Sequence, residues 1–259
     1  MAHPAYGMIR PVTATASVLL CDNPGHMTLD GTNTWLLQGP GSDEFVVVDP
    51  GPDDEAHITR LAAVGRIPLV LISHRHGDHT EGIERLVAAT GATVRSVGSG
   101  FLRGLGGALA DGEVIEAAGV RITVMATPGH TSDSLSFVMD DAVLTADTVL
   151  GRGTTVIDGE DGSLADYLAS LRRLQGLGPR TVLPGHGPEL ADLAAVVAMY
   201  LAHREERLGQ VRDALRTLGE EATPRQVVEH VYADVDEKLW EAAEQSVRAQ
   251  LDYLRNPVE

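Results

Sequence analysis

The sequence predicts an α/β fold followed by a small helical region. Up to about residue 190, short apolar runs typical of buried strands alternate with segments whose apolar residues recur at helical spacing. Beyond Pro188 the strand patterns stop and only helical patterns remain. A chain of 259 residues is long enough for one large α/β domain with a small appendage. We therefore expect a first domain over residues 1–195 and a helical appendage over residues 196–259.

Four strands and one helix are predicted in the first 72 residues. The strands are short runs rich in branched apolar residues, and turn-forming residues such as those at 22–33 separate them. The helix has apolar residues at helical spacing. The strands are predicted at residues 13–20, 34–37, 44–48 and 68–72, and the helix at residues 54–64.

The remaining chain predicts five strands and five helices. A helix over residues 80–89 follows the strand at 68–72 after a short polar stretch. Another helix starts at Ser163, with Asp166 three residues later as in a capping box, and a third has Pro224 directly after Thr223. The further strands are predicted at residues 93–97, 120–126, 134–139, 142–145 and 181–183, and the further helices at 163–174, 189–218, 223–232 and 236–254.

The most informative stretch directly follows the predicted strand at 68–72. It reads Ser73-His74-Arg75-His76-Gly77-Asp78-His79 and places three imidazoles and a carboxylate within six positions. A strand that stops and at once presents these side chains carries them at its carboxyl edge. A single His is usually structural, but this density of nitrogen and oxygen ligands indicates a metal site.

Three further strand ends carry one candidate ligand each. His130 lies in Pro-Gly-His-Thr, Asp147 in Thr-Ala-Asp-Thr, and His186 in Pro-Gly-His-Gly. Neighbouring glycines and small residues allow the backbone to approach closely. Asp49 also follows a strand, and two interpretations of it stay open: a support that holds the metal-binding loop from outside the ligand set, or a simple turn residue.

This ordered set of motifs resembles the metallo-β-lactamase superfamily over about residues 10–190. The resemblance implies an αββα sandwich, in which two mixed sheets pack face to face with helices outside and a dinuclear metal site lies at one sheet edge. Two zinc ions are expected, with manganese or iron as alternatives. The ligands implied for the first ion are His74, His76 and His130, and those for the second are Asp78, His79 and His186, with Asp147 bridging the two ions.

Details of the motifs favour hydrolysis, but not of β-lactams. Asp147 stands where the best-known dinuclear β-lactamases have Cys, and in this it resembles the glyoxalase II and nuclease-type branches. His76 stands where the flavodiiron redox branch has Glu. Glu81 stands where many members have Gly, a change that leaves the candidate ligands untouched.

A finer resemblance is to the β-lactamase-like protein 2 group. Residues 27–35 and 73–82 are similar to that group's signatures, and residues 203–254 are similar to its small winged-helix-like C-terminal domain. Animal members of the group are single-strand-directed endoribonucleases, whereas fungal relatives are thioesterases for carrier-bound polyketides. The resemblance therefore implies a fold more firmly than a substrate.

The favoured hypothesis is a dinuclear metal hydrolase whose metal-bridging hydroxide attacks an ester, a thioester or an RNA phosphodiester. Asp78 is expected to orient that hydroxide as well as to bind metal, and so to be catalytic. The first alternative is a mono-iron sulfur dioxygenase related to glyoxalase II. The second is a scaffold that has lost catalysis, but such proteins usually have broken ligand sets, and all seven candidate ligands are present here.

Composition limits the partners of the chain. The net charge of −17 repels polyanions at long range, so no DNA-binding surface is expected. Neither a signal peptide nor a membrane span is indicated. Cys21 is the only cysteine, which excludes an intrachain disulfide and favours a cytoplasmic location. The expected substrates are a small ester or thioester or single-stranded RNA, and a homodimer is compatible with the sequence.

The C-terminal region gives no sign of nucleic-acid binding. Residues 200–259 contain eight Lys or Arg against thirteen Asp or Glu, a balance of −5. An RNA substrate would therefore depend on the metals and on a few arginines, such as Arg75, Arg152 or Arg204. Each of these is expected to be an ordinary solvated side chain.

One loop is a candidate lining of the substrate cleft. It carries His26, Asn33 and Trp35. For His26, contact with substrate and a surface position are equally open.

Overall fold

In a computed structural model, which describes residues 3–233 and 240–256, the chain forms a four-layer αββα sandwich joined to a small helical unit. The layers arise because successive side chains of each strand point to opposite faces of its sheet. Val46 and Val48 pack between the two sheets, whereas Val47 packs against the outer helices. The expected sandwich is therefore confirmed.

The first sheet has six strands in sequence order. The first four pair antiparallel, and the last three pair parallel with one another. Its strands are β1 (Ile9–Pro11), β2 (Ala16–Leu20), β3 (Asn33–Leu37), β4 (Glu44–Val48), β5 (Arg66–Leu71) and β6 (Thr93–Arg95).

The second sheet has five strands in the order β11-β10-β9-β8-β7. Only its β10–β11 pair is parallel, so this sheet is also mixed. Its strands are β7 (Val114–Ala117), β8 (Val120–Ala126), β9 (Leu135–Val138), β10 (Ala142–Ala146) and β11 (Thr181–Pro184).

Helices cover both outer faces. The helices α1 and α3 pack on the first sheet, and α4 with the first half of α5 packs on the second. The helices are α1 (Glu55–Ala62), α2 (Gly77–Thr80), α3 (Ile83–Thr90), α4 (Leu164–Gln175), α5 (Leu193–Leu218), α6 (Pro224–Val231) and α7 (Trp240–Arg255), with a 3₁₀ turn at Ser99–Phe101.

The C-terminal half of α5 forms a second small core with α6 and α7. Each of the three helices contributes buried residues to this core, for example Val211 from α5, Val227 from α6 and Val247 from α7. The helix α6 starts where the sequence predicts it, and the Thr223 hydroxyl accepts from the Gln226 N–H in a capping box. The domain boundary expected after residue 195 falls in the first turn of α5 and stays a prediction. Of the last predicted helix, residues 236–239 lie outside the described residues.

The helix predicted over residues 80–89 is in fact two helices, α2 and α3. The Gly82 N–H donates to the Gly51 carbonyl at 2.9 Å instead of continuing the helix. A Cβ at Gly82 would lie 2.7 Å from the Ile58 side chain, so the chain passes too close to α1 for a larger residue. This close approach breaks the helix.

Two unpredicted strands and one helix start also differ from the sequence prediction. The strands β1 and β7 were not predicted, because β1 is short and exposed and β7 is a hairpin partner with only one buried residue. The helix α5 starts at Leu193 and not at residue 189, since Leu190 still pairs with Val182 of β11. No helix in the described part of the chain is long and apolar enough to cross a membrane.

A buried tyrosine on α5 should stabilise the loop after β10. The Tyr200 hydroxyl accepts from the Leu150 N–H at 3.0 Å. We expect Tyr200→Phe to lower the free energy of unfolding by about 1 kcal/mol, because that N–H loses its acceptor. Urea unfolding measures the change. Tyr253→Phe is the control, and equal stability losses in the two variants would contradict this role.

Candidate metal centre

All seven candidate ligands lie where strands end, at the same edge of the sandwich. The helix α2 and the residues before it follow β5, and they carry the four ligands of the sequence motif. His130 follows β8, Asp147 follows β10, and His186 follows β11. Hydrogen bonds join these ends across the two sheets, such as Leu135 N–H to the Ser73 carbonyl at 2.8 Å. The sandwich architecture therefore brings separate segments of the chain together at one place.

The first group consists of three imidazoles. His76 Nδ1 lies 3.1 Å from His74 Nε2 and 3.1 Å from His130 Nε2. Together with Asp147, these atoms form one of the clusters that can hold a metal ion.

The second group consists of two imidazoles and a carboxylate. His186 Nε2 lies 3.3 Å from His79 Nε2 and 3.2 Å from Asp78 Oδ2. His79 Nε2 is 3.5 Å from the same carboxylate oxygen.

Asp147 lies between the two groups. Its Oδ2 is 3.7 Å from His130 Nε2 and 3.3 Å from His186 Nε2. Its Oδ1 is 3.5 Å from His79 Nε2, and it is buried without a hydrogen-bond partner. Ala146 adopts a positive φ of 44° directly before it, a strained conformation of the kind found at functional sites.

Every imidazole of the centre is anchored through its outer nitrogen. A carbonyl or a carboxylate can only accept, so the outer nitrogens facing such groups carry the proton and the inner nitrogens carry lone pairs. Ser73 Oγ donates to Asp49 and can therefore accept from His74. The outer contacts are His74 to Ser73 Oγ at 3.0 Å, His76 to Asp158 Oδ2 at 3.1 Å, His79 to Asp49 Oδ2 at 2.9 Å, His130 to the Val156 carbonyl at 2.6 Å and His186 to the Gly31 carbonyl at 3.1 Å.

The charges of the centre are strongly coupled. Burial lowers the pKa of His74 well below its ordinary value, and it lowers that of His130. Burial acts in the same direction on His186, but the carboxylates of Asp147 and Asp78 outweigh it and raise the pKa of His186 well above its ordinary value.

These features fit bound cations. Inner nitrogens that face each other at 3.1 to 3.3 Å repel unless a proton or a metal ion lies between them. The buried Asp147 Oδ1, which has no hydrogen-bond partner, also costs free energy unless a cation lies beside it. Nitrogen and carboxylate oxygen are also the donors that zinc takes. The residues therefore fit the metal ions that the sequence predicts.

Gly185 is required by the approach of Asp147. A Cβ at this position would lie 2.4 Å from Asp147 Oδ1 and 3.0 Å from the His79 ring. The glycine beside His186 in the motif thus has the steric role that the sequence predicted.

The centre opens to solvent at two of its residues. The side chains of His76 and Asp78 are 33% and 27% exposed, whereas the other five candidates are largely enclosed. Beside the opening, Asp158 accepts from both His76 and Arg75. A reactant would enter on this side.

The sequence predicts only some of the residues that hold the candidate ligands in place. Asp49 is a support and not a simple turn residue, because its carboxylate accepts from the Ser73 N–H, the Ser73 hydroxyl and His79. Asp158 and the Val156 carbonyl were missed. A lone Asp or a backbone carbonyl in a Gly-rich loop carries no sequence signal for this role.

The loop expected to line the cleft is only partly exposed. His26 is exposed, but Asn33 and Trp35 are buried and donate to the Pro184 carbonyl. These hydrogen bonds hold the turn before His186 in place, and a substrate contact of the loop stays a prediction.

The three candidate arginines differ in exposure. Arg152 is a solvated side chain, as expected, in a surface ion pair with Asp30, whereas Arg75 is less exposed and pairs with Asp158. Arg204 is only 5% exposed, so its predicted solvation is wrong. It is buried because it lies over the Tyr167 ring and donates to the Thr155 carbonyl.

Comparison with protein-family models gives two matches. The metallo-beta-lactamase superfamily model matches residues 27–186, and the beta-lactamase associated winged helix domain matches residues 223–256.

Relatives at about one-third identity are similar over most of the chain. "Lactamase-like protein adaB" of Aspergillus niger is 34% identical over 80% of this chain, a match that spans 66% of that protein, slightly under two thirds. "Beta-lactamase-like protein 2 homolog" of Caenorhabditis elegans is 32% identical over 87% of this chain and 79% of that protein. "Atrochrysone carboxyl ACP thioesterase" of Aspergillus fumigatus is 33% identical over 86% of this chain and 76% of that protein.

A solved structure of a beta-lactamase domain protein from Burkholderia ambifaria has a similar fold. Its TM-score is 0.81 at 21% identity, over 98% of this chain and 90% of that one.

Asp49 should raise metal affinity through His79. In Asp49→Asn, one amide oxygen replaces two carboxylate oxygens that accept from three donors, so His79 loses its anchor. We expect metal affinity to fall about 10- to 100-fold, measured by competition with a chromophoric chelator. Asp53→Asn removes the same charge from an exposed ion pair and should bind metal normally. Equal affinities of the two variants would contradict the role of Asp49.

Removal of single candidate ligands should empty the centre without unfolding the chain. We expect His76→Ala and Asp147→Ala each to lower the bound metal and abolish turnover while the circular dichroism spectrum is retained. Elemental analysis after reconstitution gives the metal content. His230→Ala removes an exposed imidazole of α6 and should change neither the metal content nor the turnover. Full metal content and activity in either ligand variant would refute the assignment.

Proposed function

Because this chain belongs to the metallo-β-lactamase superfamily and carries a beta-lactamase associated winged helix domain, we propose that it is a metal-dependent hydrolase of an ester or thioester. The observation that carries the proposal is the set of inward-facing nitrogen and carboxylate donors on both sides of Asp147. A donor set intact on both sides of a shared carboxylate supports hydrolysis over a non-catalytic scaffold or a one-iron centre.

In this proposal two ions are bound. Zinc suits the donors, and manganese or iron are the alternatives. Bound divalent ions would lower the pKa of water towards neutrality and polarise the oxygen of the scissile group. One ion would be held by His74, His76 and His130, the other by Asp78, His79 and His186, and Asp147 would contact both.

In this proposal Asp78 orients the attacking water. Burial opposes ionisation of Asp78, but His186 and His79 lower its pKa to about 2, so it is a carboxylate at neutral pH. Its Oδ2 also accepts from the Thr32 hydroxyl at 3.3 Å, which fixes its orientation. Being partly exposed, Asp78 can accept a hydrogen bond from the water and orient it towards the substrate.

The charges around the opening favour an uncharged scissile group over a phosphodiester. Three carboxylates, those of Asp158, Glu160 and Asp161, surround Arg75 beside the exposed His76. A local excess of negative charge repels a polyanion and leaves a thioester unaffected. The thioesterase named among the relatives agrees with this choice.

A cytoplasmic location is also proposed. The single cysteine, Cys21, is buried, and burial raises the pKa of its thiol to about 12, so it is an unreactive core residue. A reducing compartment suits such a chain. The monomeric or dimeric state stays a prediction.

Two substrates tested side by side decide the reaction. The metal-reconstituted chain should hydrolyse an acyl thioester of N-acetylcysteamine, and a short single-stranded RNA should remain intact. In Asp78→Asn we expect kcat to fall about 100-fold or more, whereas Asp140→Asn, an exposed residue of the β9–β10 turn, should keep full activity.

The opposite outcomes are equally clear. Chelator-sensitive RNA cleavage without thioester cleavage would contradict the proposed substrate class. Absence of both activities in a chain with two bound metals would reject esters and thioesters as well as RNA.

A further inference from the structure

A cavity lies between residues 154–156, which include the Val156 anchor of His130, and the C-terminal helices. Its volume is about 240 Å³. The loop side is residues 154–156, the α5 side carries His203, Arg204 and Arg207, and the α7 side carries Ser246 and Gln250. It is therefore a polar cavity formed jointly by the sandwich and the helical unit.

Three buried polar atoms of this cavity have no hydrogen-bond partner. They are Arg204 Nε, His203 Nδ1 and Gln250 Oε1. Arg204 and Gln250 are only 5% and 2% exposed, so bulk water does not satisfy them. Within the described residues, the only other buried side-chain atom of this kind is Asp147 Oδ1, which lies in the metal centre. Such atoms cost free energy and commonly mark the place of a ligand or ordered water.

The unpartnered groups are mainly donors. Arg207 Nε lies 3.4 Å from His203 Nε2, and because a guanidinium only donates, His203 Nε2 must accept. Burial, assisted by the two arginines, lowers the pKa of His203, so the ring is neutral and its proton sits on Nδ1. The cavity thus presents N–H groups from both His203 and Arg204.

The cavity is also cationic. Among the side chains described in residues 3–233, 240 and 243–256, neither Arg204 nor Arg207 has a carboxylate within 4.0 Å, although most other arginines of this acidic chain are ion-paired. Arg204 lies over the Tyr167 ring, and Arg207 lies over the Tyr232 ring and donates to Gln210, so their contacts in this part of the chain are with neutral groups. Water could satisfy the hydrogen bonds but would not neutralise the buried charge of Arg204.

We propose that this cavity binds a small oxyanion, the carboxylate or phosphate group of a ligand, through Arg204, Arg207 and His203. The oxyanion would accept from the unpaired N–H groups and neutralise the buried Arg204 and the partly exposed Arg207. Neither the proposed reaction nor its metals are needed for this binding.

The site adjoins the metal centre through one backbone segment. Arg204 donates to the Thr155 carbonyl, and the Thr155 hydroxyl donates to the Asp147 carbonyl at 2.8 Å. The next carbonyl, that of Val156, anchors His130. An oxyanion bound here would sit one segment away from two candidate metal ligands.

Calorimetric titration of the full chain with inorganic phosphate and with acetate tests the proposal. Both titrations are run on the metal-loaded chain and on the chain after chelation, because the metals themselves bind anions. We expect at least one of the two anions to bind in both forms, and its Kd to rise tenfold or more in Arg207→Gln. Arg172→Gln removes an exposed arginine of α4 and should leave that Kd unchanged. The tighter-binding anion identifies the ligand group as phosphate or carboxylate.

Three results would overturn the proposed oxyanion site: no binding of either anion, binding only in the metal-loaded form, or equal Kd values in Arg207→Gln and Arg172→Gln.

A second variant separates binding from folding. Gln250→Met keeps the side-chain volume but removes the unpaired oxygen, so the anion-free chain should melt at the same or a higher temperature. The rise in melting temperature caused by the bound anion should be at least as large as in the unsubstituted chain, because the Gln250 oxygen can only accept and does not bind an oxyanion. Loss of the anion-induced rise in Gln250→Met would contradict binding through the N–H groups of His203, Arg204 and Arg207.

Discussion

The fixed orientation of five imidazoles, four of them buried, is the constraint on which the rest of the site depends. His74 is held through its outer nitrogen by the neighbouring Ser73, and the other four rings are held by partners on other segments, so the inner nitrogens point into the centre. Such an arrangement is unfavourable by itself, because lone pairs and a partnerless carboxylate oxygen are left facing one another. The αββα sandwich holds it by ending β5, β8, β10 and β11 at one edge.

The C-terminal helices also take part in this support. The helix α5 spans two cores, one shared with the second sheet and one shared with α6 and α7. From α5, Tyr200 holds the loop after β10, and Arg204 holds the segment that anchors His130. The first half of α5 therefore supports the site directly, and the cavity proposed to bind an oxyanion lies between this half of α5, residues 154–156 and α7.

The sequence predicts the centre better than its surroundings. The density of His74, His76 and His79 and the small residues beside His186 follow from rules that act within a few positions, and the structure brings these side chains together. Packing between distant segments has no such local signature. The break between α2 and α3 depends on the approach of Ile58 to Gly82, and the burial of Arg204 depends on Tyr167, 37 positions earlier.

The number of ions bound by the reconstituted chain tests the central claim most directly. Metal-free protein is titrated with Zn²⁺, and the bound ion is counted at saturation by elemental analysis of dialysed samples. Donor groups on both sides of Asp147 predict two ions per chain. Saturation at one ion, or at none, would contradict the dinuclear centre and with it the proposed hydrolysis.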